Sequence, residues 1–169
     1  MLGTPTDAAT AALAGLARRW QALDAEAPRL AAQVSVLVQR ACPKLLDAHG
    51  VGPDVAATLL EAVGDNPGRL RSEAAFAKLC GVAPIEASSG KTVRHRLNRG
   101  GNRQANRALH VVVVVRMRRH QPTRDYLARR LAEGKTKKEV MRCLKRYVIR
   151  ELYTAMQPDQ PAATTPIAT

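Results

Sequence analysis

Two adjacent serines, Ser88 and Ser89, precede Gly90 in the stretch "EASSGKTVRHRLNRGGNRQANRAL" (Glu86 to Leu109). From Lys91 to Arg119 there are nine cations (Lys91, Arg94, Arg96, Arg99, Arg103, Arg107, Arg116, Arg118 and Arg119) and no Asp or Glu. Arginine suits phosphate because its planar fork makes paired, charge-assisted hydrogen bonds. A serine hydroxyl attacks only when something takes its proton or stabilises the charge that develops. No Asp/His pair of the kind a hydrolase uses stands beside these serines. What stands there is arginine and lysine, able to neutralise a pentavalent phosphate in the transition state. The residue types therefore admit two readings: a nucleophile aimed at a phosphodiester, or a solvated Ser/Gly loop that clings to nucleic acid. Composition alone favours the loop. His95 is either a base or, as is commoner for a lone histidine in a basic loop, one more donor.

The charge of the whole chain points the same way. Its 169 residues carry a net charge of +13 with a pI near 10.7, which calls for a polyanionic partner, nucleic acid being the commonest. The excess is confined to one half: residues 86–169 hold nineteen cations against six anions, whereas residues 1–85 are nearly neutral. Aromatic residues make up 3% of the chain, so stacking platforms for single strands are scarce and backbone binding to duplex or structured nucleic acid fits better. Cys42, Cys80 and Cys143 form no CxxC pair, which argues against a disulfide framework or a zinc site and for a reduced cytosol. No secretory signal is read in the first twenty residues, and the apolar run at 111–115 is too short to span a bilayer. A cytoplasmic protein without a membrane partner is expected.

The elements that must position these groups read as mainly α: a long, coiled-coil-like N-terminal helical segment, then a compact helical domain. From Thr6 to about Cys42, Leu13, Leu16, Trp20, Leu23, Leu30, Val34, Leu37 and Val38 recur at threes and fours, forming one stripe. Pro28 should kink or split that helix and Pro43 should end it. The stripe either seeks a partner helix, making a homo-oligomer, or packs back on its own domain. "LLDAHGVGPDVAATLLEAVGD" (Leu45 to Asp65) places Gly50 and Gly52 in a tight turn and Pro53 at the start of a second helix. Helix, glycine turn, proline and helix form a helix-hairpin-helix-like signal that grips a phosphate backbone without reading bases. A plain helix connection would look similar, and His49 reads as a polar surface residue. Ser72 and Gly81 bound a short helix. A Pro/Ser/Gly/Asn loop follows, with at most a brief strand near Val93–Leu97. Ala105, Ala108, Leu109, Val112, Val113 and Arg116 predict a helix from Arg103 to about His120, against the β preference of five valines. A further helix runs from Pro122 to Glu133, and "TKKE" at Thr136–Glu139 opens a last one with inner stripe Val140, Leu144, Val148 and Leu152. The expected organisation is a helical linker at 1–43, a domain at 44–156 and a disordered Pro/Thr/Ala-rich tail at 157–169.

Three segments, "GVGPDVAATLLEAVGD", "RLRSEAAFAKLCGVAPIEASSGKTVRHRLNRGGNRQANRALH" and "EGKTKKEVMRCLKRYV", together resemble the C-terminal transposase domain of insertion-sequence family one hundred and ten, with its relatives one hundred and sixteen and nine hundred and two. The likeness covers roughly residues 5–156. It implies DNA strand transfer in transposition, with a nucleophilic serine in the family's "SG" motif. That motif maps onto Ser89, immediately before Gly90, with Ser88 the second candidate. In such proteins an N-terminal RuvC-like domain bears four acidic metal ligands, a coiled-coil segment supports dimerisation, and a structured RNA guides the choice of DNA. The resemblance thus implies magnesium in the RuvC-like domain and none held by this chain. On that reading Lys91, Arg94, Arg96 and Arg99 hold the phosphate, Asn102 and Arg103 orient the strand, and Gly50 and Gly52 add a sequence-blind contact. The chain begins about where the family's linker stands, so the acidic domain is expected to be absent and recombination by this chain alone incomplete. The rival expectation is a non-catalytic DNA- or RNA-binding module or a regulator of a full-length transposase.

Overall fold

The computed structural model describes residues 5–65, 70–86, 88–90, 95–96, 98 and 100–157. Seven helices and one two-stranded ladder lie among them: α1 (Pro5–Ala41), α2 (Lys44–Asp47), α3 (Pro53–Val63), α4 (Glu73–Leu79), β1 (Ile85–Glu86), β2 (His95–Arg96), α5 (Arg103–Arg119), α6 (Gln121–Ala132) and α7 (Lys137–Met156). The expected helical architecture, a long first helix and then a compact helical region, is what the chain adopts. No described helix is long and apolar enough to cross a membrane. The expected tail beyond Gln157 lies outside the described residues.

α1 runs unbroken through Pro28 for 37 residues, roughly 55 Å at 1.5 Å per residue. The expected split does not occur. Pro28 is solvent-exposed, so the carbonyl it cannot bond turns to water instead of being stranded in a core. The apolar stripe divides between its two readings. Val38 is 2% exposed and Val34 packs beside it, so the last turns of α1 belong to the domain core, mainly against α3. Leu13 and Leu16 at 67%, Trp20 at 66% and Leu37 at 62% face solvent.

The core is built from one face of each remaining long helix. Leu45, Leu59, Phe76, Leu109, Val112, Val113, Ile149 and Leu152 are wholly buried, with the chain's one phenylalanine among them. The valines of α5 are β-branched yet helical. Each costs a few tenths of a kcal/mol of helix propensity, which the ~1.5–3 kcal/mol from burying Val112 or Val113 outweighs. Local signals set the ends. The Ser72 hydroxyl accepts from Ala75 N at 3.2 Å, and Gly81 (φ +67°) stops α4. Thr136 and Glu139 close the expected capping box of α7, whose stripe Val140, Leu144, Val148 and Leu152 is buried.

α5 and α7 run in the same sense, since Asn106 meets Lys145 and, further along both, Arg116 meets Glu151. α6 returns antiparallel to α7, with Tyr126 edge-on to Tyr147 at 5.5 Å. β1 pairs antiparallel with β2, Ile85 opposite Arg96 and Glu86 opposite His95. The brief strand expected near Val93–Leu97 is β2; its partner β1 gave no alternation long enough to read.

Candidate nucleic-acid interface and serine hairpin

The β1–β2 ladder makes residues 85–96 a hairpin whose outer part holds the serines. Ser88, Ser89 and Gly90 are all exposed, and Gly90 takes φ +56°, a left-handed turn that a side chain would strain. The hairpin stands between the end of α4 and the start of α5, and that junction is tightly built. Gly81 and Gly101 meet backbone to backbone: a Cβ on Gly101 would collide with Gly81 N and Cα. Three asparagines reach the carbonyls at the end of α4, where Lys78 O also accepts from Gly81 N at 3.1 Å. Asn98 Nδ2 donates to Lys78 O (3.2 Å), Asn102 N to Leu79 O (2.7 Å), and Asn106 Nδ2 to Cys80 O (2.9 Å) and Gly81 O (3.3 Å). Lys145 reaches from α7 and donates to Asn106 Oδ1 (2.7 Å) and Asn106 O (3.2 Å). Its half-buried ammonium is desolvated, which lowers its pKa from the usual lysine value.

The glycine turn is held differently. Gly50 takes φ +82°, and a Cβ there would press on Val115 Cγ1 at 3.3 Å and Val112 O at 3.4 Å. Gly52 leads into Pro53 at the first position of α3 and has open space on its side-chain face. Beneath the turn lies Arg116, 6% exposed. Its Nε donates to His49 O at 2.7 Å, and its two terminal nitrogens grip the Glu151 carboxylate at 2.6 and 2.8 Å. The Arg116 hydrogen bonds hold the Glu151 pKa below the usual carboxylate value, against partial burial. The His49 and His120 rings lie 4.8 Å apart, and His120 Nδ1 meets Thr123 Oγ1 at 2.8 Å at the start of α6. Desolvation, then the nearby His49 and Arg116, lowers the His120 pKa.

The sequence-predicted site residues therefore fall into separate groups. Gly50 packs on the Val112–Val115 turn of α5, whereas the hairpin base packs at Gly101–Asn106. Asn106 and Val115 are nine residues apart on one helix, about 13 Å at 1.5 Å per residue, so the two glycine sites flank α5 without sharing a pocket. Asn102 is exposed, and its Oδ1 accepts from Ala105 N at 3.0 Å as the cap of α5. Arg103 is exposed in the first turn of that helix, and Arg96 is exposed on β2. Lys91, Arg94 and Arg99 lie outside the described residues. The uniform reading of the nine cations needs correction at Arg116: it is a buried ion-paired strut, with no side chain to offer a phosphate. Arg146 and Arg150 are likewise spent on Glu73, Arg150 at 3.5 Å.

Sequence reasoning missed Arg116, Glu151, Asn106, Lys145 and Gly101 as positioning groups. Arg116 carried a usable signal, because it lies in helical step with Ala105, Ala108, Leu109, Val112 and Val113, all buried. Glu151 and Lys145 carried none, since their partners are 35 and 39 residues away. The three cysteines are free thiols, and burial pushes Cys80 up to about 12. Among the described residues no three of His, Cys, Asp and Glu converge, so they do not form a fit for magnesium.

Comparison with known proteins agrees with this arrangement. A family model described as Transposase IS116/IS110/IS902 family matches residues 42–128, which hold the glycine turn, the serine hairpin, α5 and two thirds of α6. An "Insertion element IS110 uncharacterized 43.6 kDa protein" of Streptomyces coelicolor is 34% identical over 131 residues, 76% of this chain. The match covers 32% of that relative, so the chain spans about a third of its length. With just over half of its residues inside the family model, and the hairpin and turn both within the match, the chain belongs to the Transposase IS116/IS110/IS902 family.

Proposed function

We propose that this chain is the serine-bearing, DNA-binding part of a transposase and that Ser89 is its nucleophile. One observation carries the reading: the Ser89–Gly90 pair is exposed on a hairpin whose base is fixed by the Gly81–Gly101 contact and the three asparagines. A mobile backbone could not hold a hydroxyl near its target, since small misplacements lower rates strongly. In the step itself, Ser89 Oγ bonds to phosphorus as its proton leaves, and the P–O bond to one strand end breaks. The expelled oxygen takes up a proton, and DNA stays linked through a phosphoserine ester. Lys91, Arg94, Arg96 and Arg99 clamp the phosphate while Arg103 and Asn102 orient the strand. Asn102 does so with its Nδ2, since its Oδ1 caps α5.

Gly50 and Gly52 form the helix-hairpin-helix contact with a second phosphate. The role divides by geometry: Gly50 permits the turn, and Gly52, with its open face, permits close backbone approach. The exposed stripe of α1 pairs with a second copy. The resemblance to the family supports a RuvC-like partner domain with acidic ligands for magnesium and a structured RNA that directs target choice.

Supplied in trans with the acidic domain of a full-length relative, the wild-type chain is expected to form a covalent DNA adduct that Ser89→Ala abolishes. Persistence of the adduct in Ser89→Ala, with loss in Ser88→Ala, would move the nucleophile by one residue. No adduct from the wild-type combination would favour the second reading, a binding module without chemistry. That reading draws support from exposed cations away from the hairpin, such as Arg118 and Arg119 at the far end of α5.

A further inference from the structure

Sorting the cations by what already occupies them isolates a second basic surface. Arg116 is taken by Glu151, Arg146 and Arg150 by Glu73, Arg129 and Arg130 by Glu133, and Lys145 by Asn106. Lys135, Lys137, Lys138 and Arg142 are different. They ring the turn from α6 into α7, all are exposed, and the acid among them is Glu139. That carboxylate is hydrogen-bonded to Thr136 N and Oγ1 at 2.8 and 2.7 Å in the capping box, and faces Lys135 and Arg142. The corner keeps a net charge of +3 after Glu139 is counted.

Its place in the fold follows from the helix directions. Asn106 of α5 lies level with Lys145 of α7, and α5 begins three residues before Asn106. Because the two helices run in the same sense, the first turns of α7 project past the start of α5. Lys138 stands about 10 Å beyond Lys145 at 1.5 Å per residue. That is the end of the α5/α7 layer where Arg103 and Arg107 are exposed and where the hairpin base at Asn98–Gly101 is fixed.

A helix start is also an unfavourable place for lysine, because the backbone dipole there is already positive. Lys137 and Lys138 sit in the first turn of α7 and so stabilise no helix end.

We propose that Lys137, Lys138 and Arg142 at the α6–α7 corner extend the phosphate-binding surface beyond Arg103 and Arg107, so that duplex DNA entering the serine hairpin is held along its flank by α7. Duplex, and not single-stranded, DNA is the occupant because stacking platforms are scarce: aromatic residues make up 3% of the chain, and the half-exposed Tyr147 is engaged edge-on by Tyr126. The inference rests on the DNA-binding reading and is independent of Ser89.

The test is the salt dependence of binding to a short blunt DNA duplex, measured by fluorescence anisotropy with the whole chain. Each phosphate contact contributes a slope of about 0.9 in log K against log salt, so the triple variant Lys137→Ala/Lys138→Ala/Arg142→Ala should lower the slope by about 2–3. A charge-matched control, Arg18→Ala/Arg19→Ala/Arg29→Ala on α1, should leave it unchanged. Thermal stability should hold or rise in the corner variant, which separates lost contact from lost fold. An unchanged slope in the corner triple overturns this proposal alone, as does an equal fall in the control. A loss confined to an RNA duplex overturns the DNA assignment. No duplex binding by the wild type overturns the corner and the DNA-binding reading together, whatever Ser89 does.

Discussion

The glycine turn and the serine hairpin are both short, glycine-containing connections beside α5, yet they are stabilised in opposite ways. The turn at Gly50–Gly52 lies on a half-buried ion pair: the buried Arg116 ties the His49 carbonyl to Glu151 of α7, so three elements meet at one guanidinium. The hairpin is held where it leaves the domain, by backbone carbonyls and asparagines at Lys78–Gly81, while Ser88, Ser89 and Gly90 are exposed. The turn trades exposure for rigidity. The hairpin keeps its hydroxyl accessible and places rigidity one step back, at its base. An attacking group must reach an incoming strand, whereas a backbone grip need only present amides at a fixed angle.

The base of the hairpin should be the most sensitive point. Gly101→Val drives a branched side chain into Gly81 and should cost 3 kcal/mol or more, about the scale of overpacking, or prevent folding; denaturant unfolding reads it. Next comes Arg116→Met. Losing its bonds to Glu151 and His49 O should cost about 2–3 kcal/mol, below the 3–5 kcal/mol of a fully buried pair because Glu151 is half-exposed and can rehydrate. The same variant should weaken duplex binding through the loosened turn. Within the turn, Gly50→Ala should cost about 1–2 kcal/mol for its left-handed backbone. Gly52→Ala should cost under ~0.5 kcal/mol, as a change at an open site does. If the turn binds phosphate, Gly52→Ala still lowers DNA affinity; equal stability and equal affinity would leave the turn as a plain connector.

Acid separates the regions further. The folded state disfavours the proton on His120, so stability should fall as pH drops through the unfolded value of 6.5. Glu151, with its folded pKa lowered, should lose its contribution as pH falls from 4.5 through that lowered value. Thermal melts from neutral to acid pH should show both limbs, the upper one absent in His120→Asn, where Asn remains a good cap for α6. The turn should loosen before the hairpin base does. The smallest change in fold stability is expected from Leu16→Glu/Trp20→Glu on α1, which should convert an oligomer to a monomer in sedimentation while the domain melts unchanged.

Periodicity made the helices legible. The stripe of α7, its capping box, the Ser72 cap and the end of α1 near Pro43 all rest on contacts within four residues or on simple burial. The hairpin base was not legible, because Gly81 and Gly101 are 20 positions apart in sequence and nothing local marks either as a contact. Nor was most of the sorting of cations: Arg146 and Arg150, paired with the distant Glu73, read the same as arginines destined for phosphate, whereas Arg116 was marked by its helical step with buried residues. Pro28 does not split α1, because the cost of a proline in a helix depends on exposure, which sequence spacing does not report. Ser89 stood out through resemblance to a family motif, and its exposure on a braced hairpin is what the structure adds.

The most direct test is to trap the reaction of the wild-type chain with DNA and the acidic domain in trans, digest it, and locate the nucleotide by mass spectrometry. The account predicts a phosphonucleotide on Ser89 and none on Ser88. A nucleotide on any other residue, or adduct with Ser89 unmodified, would contradict it.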